Sequence, residues 1–347
     1  MSGEAAGMVF GWGIVGTGEI ARRFAADLAH APGARIAAIH SRSSHKGEEF
    51  RGAFGVDRAY THLDALLADS AVDAVYIATP NALHAEQALQ AIAAGKPVLV
   101  EKPLALSSID ADRIEAAASA KGVFVMEAMW TRFLPAVQRA KARVAAGDIG
   151  SVTAIRANLS YIREEGTGSR FFDVEGGGAL FDLGVYPISL TLHLLGRPNS
   201  VSGRWRAARS GVDRSAEIEL RYDGATAELS CGFDRVGENS FLIEGTGGTL
   251  RLKAPFLKAQ RLTHYPGAKG ASLSEQGGSL SKILDHLAIG GRKVEKRPFP
   301  GGGLQFEAIA VMEAVRQGST GSELMPLADS KAVLSIIEKV LSQPPSA

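Results

Sequence analysis

The chain has 347 residues, of which 46% are hydrophobic and 22% charged, with a formal net charge of +1 at neutral pH. That length and apolar content suit a globular protein of about two domains, each with its own core. The balanced charge gives no electrostatic footprint for nucleic acid or an anionic membrane, and no apolar run is long enough to span a bilayer. One cysteine, Cys231, excludes an internal disulfide and fits a reducing, cytoplasmic setting.

Residues Met1 to Gly7 are small and polar and read as a loose tail. The apolar run Met8 to Val15 lacks a basic leader and enters a glycine turn, so it reads as a first strand rather than a signal peptide. From there short aliphatic runs alternate with helical patterns. Strands are expected at Val9–Val15, Arg35–His40, Ala74–Ala78, Pro97–Val100 and Val123–Ala128. Helices are expected near Ile20–Leu28, Ser44–Phe54, Leu63–Ala68, Leu83–Ala93 and Ser108–Ala120, with Gly95 and Gly122 as helix stops. Such alternation implies an α/β domain with a parallel sheet and right-handed crossovers.

From about Ser151 the texture changes to alternating segments, Val152–Leu159, Ala216–Tyr222, Thr226–Phe233 and Ser240–Gly245, with turn signals at Asp223-Gly224 and Gly247-Gly248. These read as antiparallel strands joined by hairpins. Cys231 falls in one of them as a small buried strand residue. A helix, Gly178–Leu195, precedes the main strand set, and Leu304–Gln317 and Asp329–Leu341 return to helix. Gly267–Gly278 is Gly/Ser-rich and reads as a mobile loop. The expected organisation is a nucleotide-binding domain over 8–130 and an α+β domain over 131–345, whose terminal helices can pack back on the first.

The run Gly16-Thr17-Gly18-Glu19-Ile20-Ala21 is a G-x-G-x-x-A turn between a strand and a helix. Gly16 permits the tight turn, Gly18 lets the backbone approach a pyrophosphate, and Ala21 lets helix and strand pack closely. The helix amino terminus then offers N–H groups to the phosphates, so a dinucleotide is expected here. An NAD-preferring site places an acid at the end of the second strand. Here that end reads His40-Ser41-Arg42-Ser43. Arg42 would pair with a 2′-phosphate, assisted by Ser41 and Ser43, which points to NADP, with NAD as the alternative. A solvated loop arginine is the competing reading. After the next strand, Thr79, Pro80 and Asn81 stand at the same sheet edge; Thr79 and Asn81 serve equally well as cofactor contacts or helix caps. His84 either points into the site or is a surface histidine.

Val98-Leu99-Val100 ends in Glu101-Lys102-Pro103. A strand that apolar is covered on both faces, so the charged pair sits at its carboxyl edge, where open α/β sheets bind ligands. A surface ion pair in a turn is the plain alternative. Further on come Glu127-Ala128-Met129-Trp130-Thr131-Arg132-Phe133 and Gly176-Gly177-Gly178-Ala179-Leu180-x-Asp182-x-Gly184-x-Tyr186. Together with Gly16-x-Gly18-x-x-Ala21 and Ala78-Thr79-Pro80-Asn81-x-x-His84, these resemble the glucose–fructose oxidoreductase, inositol dehydrogenase and rhizopine-catabolism (Gfo/Idh/MocA) family. The likeness runs from about residue 9 to the carboxyl terminus. It is greatest to the NADP-dependent branch of dimeric dihydrodiol dehydrogenases and D-xylose 1-dehydrogenases, since Tyr186 stands where inositol dehydrogenases carry a histidine.

The resemblance implies a Rossmann domain followed by an α+β domain with a large open, mostly antiparallel sheet, through which homodimers or homotetramers form. It implies an NADP-dependent oxidoreductase moving hydride between nicotinamide and a sugar, polyol or related diol. Tyr186 would be general acid/base and Lys102 its electrostatic partner across the cleft, or the reverse; a nearby ammonium favours a phenolate. Asp182 lies one helical turn before Tyr186, on the face that also carries Ser189 and His193. It would hold a substrate hydroxyl, or would simply complement the helix dipole; His193 reads as structural. Glu101 matches the residue holding the nicotinamide ribose, and Trp130 and Arg132 would leave the last strand as cofactor or substrate contacts, Trp130 alternatively as a domain-interface anchor. Phe171 and Phe172 would wall the substrate pocket or belong to the core. No metal is implied by the histidine and cysteine spacing. The rival classes are a cofactor-binding regulator without catalysis and a redox-assisted glycosidase with tightly bound cofactor.

Overall fold

A computed structural model describes residues 9–166, 168–267 and 291–346. The chain divides into two compact units, Met1–Trp130 with Pro300–Ser335, and Thr131–Phe299 with Ile336–Ala347. Beyond Gly267, the loop expected at Gly267–Gly278 lies outside the described residues.

In the first unit, strands β1 (Phe10–Val15), β2 (Ala34–His40), β3 (Arg58–Tyr60), β4 (Ala74–Ile77), β5 (Val98–Glu101) and β6 (Val125–Ala128) alternate with helices α1 (Glu19–Asp27), α2 (Ser44–Phe54), α3 (Leu63–Leu67), α4 (His84–Ala93) and α5 (Ser108–Lys121). The sheet order is β3-β2-β1-β4-β5-β6, with every pairing parallel. Every residue of β1, β4, β5 and β6 is buried, as strands covered on both faces must be. Tyr76 stacks on Phe24 at 3.8 Å between centroids, and Trp12 meets Phe24 edge-on at 5.3 Å. Such ring pairs add about 1 kcal/mol each beyond their burial. The chain runs outward from β1 to β3 and restarts at β4 on the other side of β1. That reversal opens a crevice at the carboxyl ends of β1 and β4. The register aligns those ends: Val15 with Ile77, Ile77 with Val100, and Glu101 with Ala128.

The second unit holds α6 (Pro135–Ala145), β7 (Val152–Ser160), α7 (Val185–Leu195), β8 (Ser200–Ala207), β9 (Asp213–Tyr222), β10 (Ala225–Gly232), β11 (Phe241–Gly245), β12 (Gly248–Leu252), β13 (Arg261–Pro266) and β14 (Lys293–Lys296). Helices α8 (Gln305–Arg316) and α9 (Leu327–Leu341) follow. The sheet order is β14-β13-β12-β11-β7-β10-β9-β8. It is mostly antiparallel, as expected, and the one parallel pairing among the described strands is that of β7 with β10. The intervening chain, which carries α7, is long enough for the crossover a parallel pair needs. The β9–β10 hairpin turns through Asp223-Gly224 as expected. Helix α7 and the turn before it pack on β7 and β10, and α6 on β12 and β13. Ile188, Leu190 and Leu192 of α7 are buried, each worth about 2 kcal/mol.

Candidate active site

The chain leaves β1 at Gly16, where φ is +109°. A Cβ there would lie 2.5 Å from the Ala78 carbonyl oxygen, so only glycine fits. Gly18 opens α1 with no side-chain cap, whereas α2 and α5 are capped by Ser43 and Ser107. A Cβ at Gly18 would meet nothing within 4 Å. The first N–H groups of α1 and its positive dipole end therefore face open space, which suits a pyrophosphate. Ala21 is fully buried, as close helix packing requires. Thr17 and Ile20 are half-buried at this turn, and Glu19 is exposed and paired with Arg23 within the helix.

At the end of β2, Ser41 is buried and its Oγ accepts the Ser43 N–H at 3.3 Å. The Ser43 Oγ accepts the Lys46 N–H at 3.3 Å and caps α2. Both hydroxyl oxygens thus order the backbone around Arg42, which is exposed and has no ion-pair partner among the described residues.

After β4, the Thr79 hydroxyl bonds the Gln87 Oε1 at 2.6 Å. Asn81 begins a 3-10 turn, Asn81–Leu83, after the exposed Pro80. Neither Pro80 nor Leu83, the residues at the N-cap positions of this turn and of α4, supplies a side-chain cap. His84 is no surface histidine. It is fully buried, with Nδ1 at 2.8 Å from the Pro103 carbonyl oxygen and Nε2 at 2.9 Å from that of Thr79. Burial lowers its pKa, the two carbonyls oppose that, and the Lys102 ammonium lowers it further. A neutral ring donates to one of the carbonyls. With no exposed surface, His84 ties the Thr79 and Pro103 turns together instead of touching a ligand.

Glu101 closes β5 as a buried residue, which corrects the surface ion-pair reading. Its Oε1 accepts the Tyr76 hydroxyl and its Oε2 accepts the Lys102 N–H at 3.1 Å. Burial raises its pKa from 4.5 to about 7, against the pull of the Tyr76 hydroxyl and the Lys102 charge. Glu127, from β6, accepts the Leu104 N–H at 3.0 Å. The backbone from Lys102 to Leu104 is therefore fixed by three buried side chains, Glu101, His84 and Glu127. Lys102 itself is half-buried at the sheet edge.

In the second unit the helix carrying Tyr186 starts differently from the expected continuous α-helix. Leu180–Gly184 form a π-helical turn and α7 follows at Val185. Such turns concentrate at functional sites because they re-aim side chains. Asp182 lies half-buried in this turn, and Tyr186 is 6% exposed on α7. The turn rests on Asp213, whose Oδ2 accepts the Leu180 N–H at 2.7 Å. Gly178, with φ +102°, has no room for a Cβ, which would sit 2.1 Å from the Asp213 Oδ1. Burial raises the Asp213 pKa from 3.8 to about 6, against the N–H groups of Leu180 and Ala179.

Arg132 also departs from expectation. It is fully buried, donating from Nε to the Ser189 Oγ at 2.8 Å and from a terminal nitrogen to the Ser189 carbonyl at 2.7 Å. It offers no surface to a ligand and acts as a strut under α7. Trp130 is 7% exposed in the 3-10 turn Trp130–Phe133. His193 is structural, as expected, with its pKa pushed down to about 3 by burial and by the Arg132 and Lys141 charges. Phe172 is core, edge-on to Phe233 at 5.4 Å. Phe171 is half-buried, with the Arg163 and Arg170 guanidinium carbons 4.6 Å and 4.5 Å from its ring centroid, so it is no bare apolar wall. Cys231 is buried against Gly184, its thiol pKa well above normal through burial.

The family model for the oxidoreductase family with an NAD-binding Rossmann fold matches residues 10–129, and the Gfo/Idh/MocA carboxyl-terminal domain matches residues 137–251. The chain belongs to the Gfo/Idh/MocA oxidoreductase family. Its cofactor is NAD(P), and the uncapped Gly18 turn fits the phosphates of that group. The chain is 29% identical to a trans-1,2-dihydrobenzene-1,2-diol dehydrogenase of Mus musculus over 96% of each chain. Among solved structures, a 3-ketoreductase from Actinomadura kijaniata, in complex with NADP and TDP-benzene, is 26% identical with a TM-score of 0.80, over 96% of this chain and 97% of that one. That ketoreductase has also been solved with a lysine replaced by alanine and with a tyrosine replaced by phenylalanine. An aldose–aldose oxidoreductase from Caulobacter crescentus, 23% identical over 96% of each chain with a TM-score of 0.82, shows the same fold.

Two residues that support the candidate site had weak sequence signals. Tyr76 put a hydroxyl into an otherwise aliphatic strand, and a buried hydroxyl needs a partner. Asp213 follows a glycine turn with nothing to mark it as the rest for a helix 33 residues earlier.

Proposed function

We propose that this enzyme is an NADP-dependent oxidoreductase of sugars, polyols or related diols and carbonyls. The observation that carries the reading is the lysine turn, fixed by three buried side chains at the sheet edge that also holds the uncapped glycine turn. Bound cofactor supplies or accepts the hydride. The chain's task is the proton: oxidation of a CH–OH group releases one from the hydroxyl as hydride departs, and reduction returns it. Lys102 and Tyr186 handle that proton, Tyr186 as general acid/base and Lys102 as the charge that favours the phenolate. The lysine and tyrosine replacements made in the Actinomadura ketoreductase support this assignment. Arg42, exposed and framed by Ser41 and Ser43, holds the 2′-phosphate. Asp182 orients a substrate hydroxyl.

The outward face of the second sheet is read as the contact for a second copy. It carries a hollow of about 630 Å3 with alternating charges, Arg156 beside Glu228 at 3.3 Å and Arg204 beside Glu217 at 2.6 Å. Light scattering of the Arg204→Glu variant, expected to be smaller in mass than the parent, tests it.

The deciding experiment is turnover with trans-dihydrodiols, aldoses, polyols, anhydro-sugars and dicarbonyls, using NADP and NAD, for the parent, Lys102→Ala and Tyr186→Phe. Each variant is expected to lose roughly 100-fold or more in kcat while still binding cofactor. Near-normal turnover in both variants rejects the proton assignment. With a chromogenic glycoside, release of the aglycone without net cofactor reduction would mark a glycosidase, and no turnover by the parent on any substrate a regulator.

A further inference from the structure

The chain between β7 and α7 carries two arginines that no described acid answers. It leaves β7 at Ser160, and the backbone N–H groups of Tyr161 and Arg163 donate to the carbonyls of Gly232 at 3.0 Å and Phe233 at 2.9 Å. Those bonds tie the start of the loop to the end of β10. Farther on, the 3-10 turn Arg170–Phe172 sets Phe171 edge-on to Phe233 at 5.6 Å. The Arg163 guanidinium carbon lies 4.6 Å from the Phe171 ring centroid, and that of Arg170 lies 4.5 Å from it. Arg163 also reaches the Tyr161 ring, at 5.8 Å. Two cations thus share one aromatic ring.

Neither arginine side chain forms a hydrogen bond or an ion pair with a described residue, and the Arg163 Nε is buried without an acceptor. The acids of the loop are engaged elsewhere or exposed. Glu165 accepts from Arg214 at 3.2 Å and from the Arg209 N–H at 3.1 Å, and the Asp173 Oδ1 accepts the Glu175 N–H at 3.1 Å. Glu164 and Glu175 are exposed. In the same unit Arg156, Arg204, Arg221 and Arg235 each have a carboxylate within 3.3 Å, so this pair departs from the usual arrangement. Attraction to a ring holds a guanidinium in place without an acceptor for its N–H groups. Those donors are left for an oxyanion, which would also offset the repulsion between two like charges.

The pair adjoins the turn that carries Asp182. The Phe171 carbonyl accepts the Gly178 N–H at 2.8 Å, and the Gly178 carbonyl accepts the Asp182 N–H at 3.1 Å. A Cβ at Gly177 would lie 2.9 Å from the same Phe171 oxygen, so the loop presses on the glycines that open the π-helical turn.

We propose that Arg163 and Arg170 form an oxyanion subsite for the substrate, so that a sugar or polyol bearing a phosphate or carboxylate group is preferred over its neutral counterpart. Planar guanidinium forks take either group. The subsite rests on the proposed redox chemistry of sugars and polyols and adds the charge of the substrate.

The test is steady-state kinetics of the full-length protein with NADP on D-glucose, D-glucose 6-phosphate and D-glucuronate. Each anionic sugar is compared with the neutral one by the ratio of kcat/KM. At least one ratio is expected to exceed about tenfold, carried by KM, since the added contacts are charge-assisted. The sugar that shows it tells phosphate from carboxylate. In Arg163→Gln and in Arg170→Gln that ratio should fall about tenfold. A purely structural role would lower turnover of all three sugars alike and leave the ratio unchanged. Arg170 is exposed, so its variant keeps the test available if Arg163→Gln does not fold. Turnover of D-glucose with no preference for either anionic sugar, or a preference that survives in both variants, overturns the proposal. Should the parent turn over none of the three, calorimetric titration of the NADP-bound protein with the two anionic sugars judges the subsite apart from the redox reading. Saturable binding that is at least about tenfold weaker in Arg170→Gln upholds it; no saturable heat, or unchanged affinity, overturns it.

Discussion

Replacing Asp213 by asparagine should make the stability of the protein less sensitive to pH. The carboxyl is 2% exposed, and its pKa is raised from 3.8 to about 6 by burial. A raised folded-state pKa means that the folded chain holds this proton more tightly than the unfolded chain. The contribution to stability is therefore complete below the unfolded value, falls as pH rises through the folded value, and is flat above it. A shift of about two units corresponds to about 3 kcal/mol at 1.36 kcal/mol per unit. Asparagine keeps a carbonyl oxygen for the Leu180 N–H and carries no ionisable proton. Relative to the parent, Asp213→Asn should gain about 3 kcal/mol between about pH 4 and pH 8, or roughly 6–12 °C in Tm for a unit of this size. Melting curves of both proteins across that range are the assay. A constant offset between them at every pH would refute the reasoning, because it would show that Asp213 titrates alike in the folded and unfolded chains.

Three further outcomes are expected. Arg42→Ala should lower the NADP to NAD ratio of kcat/KM by about tenfold or more, since a charge-assisted phosphate contact is lost; an unchanged ratio rejects the 2′-phosphate assignment. Glu307, on α8, is fully buried, neither carboxylate oxygen has a partner among the described residues, and burial followed by Glu101, Asp27 and Glu127 raises its pKa. Its folded form keeps the proton as pH rises past the unfolded value, so parent stability declines there while that of Glu307→Gln does not; parallel melting curves would contradict this. Gly178→Ala must place a Cβ 2.1 Å from the Asp213 carboxylate at a φ of +102°. It should cost about 3 kcal/mol or more, read as loss of soluble folded protein, and a parent-like Tm would show that this turn relaxes.

The parallel sheet was legible because a strand covered on both faces must be apolar along its whole length, and Ala74 to Ile77 and Val98 to Val100 have no other use for such runs. Gly16 was legible for a similar reason: a positive φ and a carbonyl 2.5 Å from any Cβ leave one residue type. Edge elements were harder. Strand β8, Ser200–Ala207, exposes alternate residues and includes Gly203 and two arginines, so its pattern is thin, and β3 is only three residues long. The parallel pairing of β7 with β10 depends on how the intervening chain crosses over, which no local period records.

The supports of the site were hidden for a different reason. Arg132 and His84 look, by residue type, like ligand contacts, and both prove fully buried, His84 bonded to the carbonyls of two turns and Arg132 donating to Ser189 of α7. A charged or titratable residue beside an active-site motif has two uses, to touch the ligand or to fix whatever does, and local sequence gives both the same appearance. What separates them is the count of nearby backbone groups that need a partner. The turn from Lys102 to Leu104 leaves two N–H groups and the Pro103 carbonyl outside any ladder, and those three groups are met by Glu101, Glu127 and His84. Because an unmet buried backbone group costs on the order of 1–3 kcal/mol, these acids and this histidine are tied to holding the lysine's backbone still.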